Sequence, residues 1–279
     1  MDFATLIGLV IGFGAIALAG YVGGSDPHII FGRWDAFVLI VGGSAGATIT
    51  GFPWRTFASG VTNGFKTVFT EVDFHEREVI STLVSFAEKA RREGLLALEN
   101  EAAAIEDDFM RQGIQLVIDG RDTEIIRKVL ETEVSYVQER GNKAEQVFSS
   151  MGGYSPTLGI IGTVLGLIGM LRGLAAASAS SNVTGSIGVA TAQAFVATFF
   201  GIMMANLLWL PMASRIKERY GQLLLVREIM IEGILAIQAG DNPRLLEEKL
   251  LAFLDPRDRE LGVSEGGGVS EGSLSASGA

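Results

Sequence analysis

Thr163 stands inside an apolar run, residues 156–171, PTLGIIGTVLGLIGML, as its only polar side chain past the first turn. Gly159, Gly162, Gly166 and Gly169 recur around it at spacings of three and four, which put all four on one side of a helix. Glycine there removes bulk, so another helix can approach closely. The stripe reads either as a packing seam or as an ion-path wall facing a partner. A second apolar run, residues 189–210, carries Thr191, Gln193, Thr198 and Asn206. Polar side chains inside a membrane face protein or a water path, so Thr191 and Gln193 either bond a neighbouring helix or line such a path. A threonine hydroxyl offers oxygen lone pairs to a bare cation. Sodium must exchange much of its water for oxygens, whereas a proton can move along water to a carboxylate. Thr163 and Thr198 are therefore candidate ion-path residues, with sodium favoured over the proton. The alternative for Thr163 is a hydrogen bond to the carbonyl one turn earlier on its own helix.

The bulk properties agree with a membrane setting. Hydrophobic residues make up 48% of the 279, and the mean hydropathy is +0.35, high for a soluble domain. There is no cysteine, which excludes disulfides and thiolate metal sites. No H-E-x-x-H, G-x-S-x-G or Walker lysine motif is present. A net charge of −10 disfavours a nucleic-acid partner. No enzyme activity and no resident cofactor or metal are expected, only a transported Na+ or H+.

The positioning elements follow in chain order. Residues 3–22 carry no charge and are long enough to span a bilayer core. Asp2 and the absence of an early Lys or Arg argue against a signal peptide. Residues 23–27 are turn chemistry, and His28 is assigned no role. A second span runs from 34 to 52, with Gly42, Gly43 and Gly46 marking close contact and Trp34 and Trp54 bracketing it. Charges then return. Val79, Leu83, Val84, Phe86 and Ala87 give a helical face that Gly94 ends after Arg91-Arg92. Short helices are expected over 95–105 and 109–118. Gly120 stops the second, and Asp122 begins a long helix into the third span, with a break expected at Gly152-Gly153. Residues 178–188 read as a loop. Asn242-Pro243 starts a last short helix over 244–254. Beyond Asp255-Pro256 the chain is too poor in apolar residues to fold.

This reading gives an all-α membrane protein with four transmembrane helices in two hairpins and a helical cytoplasmic domain. The segments are 1–52 (first hairpin), 53–150 (cytoplasmic helices), 151–212 (second hairpin), 213–255 (helical tail) and 256–279 (disordered). Of 22 Lys and Arg, all but Arg33 and Arg172 lie in the long loop or the tail. The positive-inside rule therefore places loop, tail and both termini in the cytoplasm. The spans are read as holding no Asp or Glu. A cation carrier usually needs an intramembrane carboxylate, so a partner helix must bring one, and the chain alone should conduct nothing.

Four blocks in order carry a resemblance: M-D-x-A-T-L-I-G-L at the N-terminus, V-G-G-S at 41–44, A-E-K-A-R-R-E-G-L-L-A-L-E at 87–99, and P-T-L-G-I-I-G-T-V-L-G-L from Pro156. Over residues 1–255 the chain resembles the MotA/PomA flagellar stator subunits of the MotA/TolQ/ExbB superfamily. The resemblance implies a pentamer around two MotB/PomB-type subunits, each with one span, an ion-binding aspartate and a peptidoglycan-gripping domain. Ion flow would turn the ring and drive the rotor protein FliG, in the bacterial inner membrane. By position, Arg91 and Glu99 match the rotor-contacting charges, with Arg92 beside them. Pro156 matches the proline at the cytoplasmic mouth of the third span, Glu133 an acidic position near the channel entrance, and Pro243 the tail proline. Sodium-driven relatives resemble the Thr163 pattern, while proton-driven ones often carry alanine there. Without the family, Arg91, Arg92 and Glu99 would read as a solvated helix face and Pro156 as a helix start. The alternatives are an ExbB/TolQ-type energiser, disfavoured by the first hairpin, or a related ring in a gliding or defence system. A membrane protease would need a nucleophile and base pair in the spans, which are read as holding no His, Asp or Glu.

Overall fold

The structure is a computed structural model and describes residues 3–24, 34–70, 75–176 and 183–254. The expectations for His28, the outer part of the first linker, residues 178–182 and the tail from Asp255 lie outside these residues. All regular structure among the described residues is helical. The helices are α1 (Phe3–Val22), α2 (Trp34–Gly51), α3 (Trp54–Phe69), α4 (Glu76–Glu93), a 3-10 turn (Leu95–Leu98), α5 (Glu99–Ala102), α6 (Asp108–Ile118), α7 (Thr123–Ala176), α8 (Val183–Met204), a π turn (Ala205–Trp209), α9 (Leu210–Ala239) and α10 (Pro243–Leu251).

The chain divides into two compact units, residues 1–72 with 138–221, and residues 73–137 with 222–279. In the first, Ile40, Val68, Phe148, Met151, Phe200, Met204, Trp209 and Ile216 form a closed core. Three helices among the described residues, α1, α7 and the α8–α9 run, are long and apolar enough to cross a membrane. The expected second span is the 18-residue α2, whose apolar content is diluted by glycine. Its first turn holds Asp35, which corrects the reading that the spans contain no acid. Past that turn α2 has none.

Two glycines and a proline in α7 do not break it: the helix is continuous through Gly152, Gly153 and Pro156. Pro156 lacks an N–H, so the carbonyl of Gly152 loses its ladder donor. Close packing explains the first glycine, since a Cβ on Gly152 would lie 2.6 Å from Leu210 Cδ2. Helix α8 starts at Val183, inside the segment expected to be a loop up to Gly188. Serine and threonine cost only tenths of a kcal/mol, and glycine about 1 kcal/mol, in a helix, too little to end one anchored by the apolar run after it. The π turn has a cause in Pro211. Its ring opposes the carbonyl four residues earlier, Leu207, and it has no N–H to donate there. The helix widens instead of breaking, and the N–H just before the proline, of Leu210, reaches the carbonyl of Ala205.

In the second unit, α4, α6, α9 and α10 enclose Leu83, Phe86, Leu98, Phe109, Ile114, Ile229, Ile234 and Leu246. Gly94 ends α4 at φ +87°, a conformation that side chains other than glycine rarely adopt. The helix expected over 95–105 is a 3-10 turn followed by the single turn α5. The tight turn buries Leu98 fully and leaves Leu96 73% exposed. Asn242 caps α10 by accepting from the Arg244 N–H at 3.1 Å, with Pro243 in the first turn. This helix stops at Leu251, three residues short of the expectation, in 3-10-like bonds from Phe253 to Leu250 and Leu254 to Leu251.

Candidate functional site: an oxygen cluster between two apolar helices

Glycine brings α7 and α8 together. A Cβ on Gly159 would lie 2.9 Å from the Ala197 carbonyl oxygen and 3.0 Å from Thr198 Cα. On Gly162 it would meet Ala197 Cβ at 2.7 Å, and on Gly166 Ala194 Cβ at 2.8 Å. The stripe therefore packs on the chain's own α8 at these three positions. The fourth, Gly169, faces open space within the chain. The other side of the seam is Gly201, where a Cβ would lie 2.5 Å from the Ser155 carbonyl oxygen and 3.0 Å from Gly159 Cα.

This close approach joins Thr163 and Thr198. Their hydroxyls are in direct hydrogen-bond contact. Thr163 Oγ1 also lies 3.2 Å from the Gly159 carbonyl oxygen and 3.1 Å from that of Ala194. Thr198 Oγ1 lies 3.2 Å from the same Gly159 oxygen. Two hydroxyl hydrogens can serve only two of these four oxygen–oxygen approaches at a time. The cluster is thus rich in lone pairs and half-buried. No charged side chain is among its partners.

The other polar positions do not join it. Thr191 donates to Met170 Sδ at 3.3 Å, Asn206 donates to the Ile202 carbonyl at 2.9 Å, and Gln193 is exposed. Ser155, fully buried, donates to the Met151 carbonyl at 2.7 Å just before the half-buried Pro156.

The second unit holds the remaining candidates. Arg91 and Arg92 occupy the last turn of α4, where cations suit the helix dipole, and both are exposed, as is Glu99 at the start of α5. Lys89 and Glu101 tie the two elements at 2.6 Å. That hydrogen bond to the Glu101 carboxylate holds the Lys89 ammonium above its ordinary value. Glu133 is half-buried on α7 and belongs to this unit, and Pro243 is buried at the start of α10. Asp107 carries more than sequence reading assigned: it caps α6 through the Met110 N–H at 2.9 Å and pairs with Arg227 at 2.8 Å. Arg227 in turn lies 4.3 Å above the Phe109 ring. The cap was readable from D-D-F-M; its pairing partner, 120 residues away, was not.

The MotA/TolQ/ExbB proton channel family model matches residues 101–229. The chain is 39% identical to Motility protein A of Treponema phagedenis over 259 residues, 93% of this chain and 96% of that one. It is 33% identical to Chemotaxis protein PomA of Vibrio alginolyticus, over 95% of this chain and all of that one. The flagellar MotAB stator complex from Bacillus subtilis is similar at a TM-score of 0.84 and 34% identity, over 94% of this chain and 99% of that one. C. jejuni MotAB gives a TM-score of 0.83 at 30% identity, over 92% and 98%. By this likeness over nearly its whole length, the chain belongs to the MotA/PomA flagellar stator subunits of the MotA/TolQ/ExbB proton channel family, inner-membrane channel subunits and not enzymes.

Proposed function

We propose that this chain is the ring-forming half of a sodium-driven stator. Four spans, α1, α2, the apolar end of α7 and α8, cross the inner membrane, with both termini in the cytoplasm. Five copies surround two MotB/PomB-type subunits, whose aspartate supplies the charge that the interiors of these spans lack. The solved relatives being MotAB complexes supports that partner. Ion flow turns the ring, and Arg91, Arg92 and Glu99 act on FliG.

The observation that carries the choice of ion is the surplus of oxygen. Thr163 Oγ1, Thr198 Oγ1 and the carbonyls of Gly159 and Ala194 meet with only two hydrogens between them. A hard cation needs several oxygens to replace its water, and the cluster can release lone pairs by turning two hydroxyls. Pro156 leaves the Gly152 carbonyl without its ladder donor, a separate free oxygen about 10 Å along the helix axis from that of Gly159. Glu133 and Pro243 serve the second unit, the first as an acid on α7 and the second by anchoring α10.

The matched family model is described as a proton channel family, so the ion is the point to test. Rotation speed is measured against external sodium at fixed pH and membrane potential. Speed rises and saturates with sodium, and Thr163→Ala abolishes or sharply weakens the dependence. Full-speed rotation of the native motor without sodium makes the proton the coupling ion and Thr163 a helix clamp.

A further inference from the structure

Helix α3 has three faces: the fold buries one, touches a second through Phe65, whose ring stands edge-on to Phe148 at 5.6 Å between centroids, and leaves the third exposed. Gly60, Gly64 and Val68 are buried. A Cβ on Gly60 would lie 3.0 Å from Val147, and one on Gly64 2.3 Å from Phe148. A second stripe holds Trp54, Ala58, Val61 and Phe65, at helical spacings of four, three and four. Trp54 is 66% exposed and Phe65 38% exposed. A third holds Arg55, Ser59, Thr62 and Lys66 at the same spacings, all exposed. Ser59 and Thr62 donate to carbonyls of their own helix, Thr56 at 3.2 Å and Ala58 at 2.8 Å. Arg55 and Lys66 are thus the outward chemistry of that stripe. Among the described residues neither is in an ion pair.

We propose that α3 lies on the cytoplasmic bilayer surface and binds anionic phospholipid headgroups through Arg55 and Lys66, with Trp54 and Phe65 set into the acyl boundary. Charge supports that occupant. The helix has two cations and no Asp or Glu, in a chain whose net charge is −10. Eleven residues separate Arg55 from Lys66, about 16 Å of rise with both on nearly the same azimuth. The Trp54–Phe65 stripe is offset from the Arg55–Lys66 stripe by one residue, about 100° around the axis. That is the arrangement of a helix lying in the interface plane, apolar side down and cations at the phosphates. Position supports it too, because α3 follows the end of α2 across two residues. The inference rests on the reading that α2 crosses the membrane.

The test uses the full chain with its partner, in vesicles, with Trp54 as the only tryptophan of this chain (Trp34→Phe, Trp209→Phe). Bromine-labelled acyl chains are placed on phosphatidylglycerol in one preparation and on phosphatidylcholine in the other, at equal mole fraction. Trp54 fluorescence falls more with brominated phosphatidylglycerol, and Arg55→Gln with Lys66→Gln removes the difference, each cation contributing about fivefold in local enrichment. Arg55→Lys with Lys66→Arg restores it. Equal quenching by both lipids overturns the headgroup preference while leaving α3 in the membrane. No quenching by either overturns the placement of α3 on the bilayer, leaves the span reading of α2 standing, and is the result expected if a protein covers this face. If the tryptophan replacements do not fold, native mass spectrometry of the unaltered complex reads the same quantity. It finds phosphatidylglycerol retained over phosphatidylcholine, lost in the Arg55→Gln, Lys66→Gln variant and kept in an Arg91→Gln, Arg92→Gln control. Loss in the control as well shows a general charge effect and overturns the site.

Discussion

Adding one methyl group at Gly201 should loosen the helix pair that holds the oxygen cluster. The new Cβ would stand 2.5 Å from the Ser155 carbonyl oxygen, whereas ordinary contact begins at 3.4 Å, so something must move by about 0.9 Å. The obstacle is backbone on both counts, the Ser155 oxygen and Gly159 Cα, so no side chain can swing aside. Overpacking of this kind costs about 1–3 kcal/mol, offset by up to about 1 kcal/mol that alanine gains over glycine in a helix. With the full alanine gain taken, the net loss expected for Gly201→Ala is about 0–2 kcal/mol. Function should suffer more than stability, because separation of α7 from α8 also draws Thr198 away from Thr163 and the Gly159 carbonyl. The assay is thermal unfolding of the detergent-purified chain without its partner, with swimming measured in parallel. Gly169→Ala is the control, since nothing within the chain lies within 4 Å of a Cβ there. A lowered midpoint for Gly201→Ala alone supports the seam. Wild-type melting and motility for Gly201→Ala, or an equal drop for Gly169→Ala in the isolated chain, refutes the reasoning.

Asp107→Ala removes a helix cap and leaves Arg227, whose side chain is 17% exposed, without its carboxylate. Chemical denaturation should show about 2–4 kcal/mol lost, and Asp107→Asn, which keeps a capping oxygen, should lose less. Arg91→Glu with Glu99→Lys should abolish or impair swimming while the unfolding free energy stays within about 0.5 kcal/mol of wild type and ion conduction persists; normal swimming would remove these residues from the rotor contact. The Glu232 carboxyl is held below its ordinary value by its hydrogen bond to Lys249 at 2.6 Å, with Arg127 adding to it. A depressed acid contributes stability that is complete above its unfolded titration and is lost as pH falls through the folded value. Melting followed from neutral to acid pH should therefore fall more steeply in wild type than in Glu232→Gln.

The sequence disclosed the elements that local chemistry determines. Gly94, Gly120 and Asn242-Pro243 end or begin helices where their backbone preferences require, and the glycines at 159, 162 and 166 fall on one face because the helical period puts them there. What covered that face was a tertiary fact. One glycine stripe accepts any helix, and the complementary Gly201 stands alone in an apolar run with no spacing to mark it. The Thr163–Thr198 pairing joins residues 35 apart and follows from the seam, not from either local context. Helix α3 was missed because its buried face is two glycines and a valine. That face carries almost no apolar signal, although the close approach to Phe148 requires its smallness. The π turn was equally hidden, since a proline read alone says where a ladder fails but not whether the helix breaks, bends or widens.

That turn behaves as a dislocation in the helix lattice. A widened turn admits an extra residue, so the azimuth of everything after Trp209 is advanced relative to an unbroken helix. Such a defect can ordinarily migrate, because each step exchanges one carbonyl partner for the next. Pro211 stops it in one direction: with no N–H at that residue, the exchange cannot pass toward the C-terminus, and the fault cannot run beyond Ala205–Trp209. Met212 and Ile216, past the proline, are therefore shielded from the fault by a single imino acid.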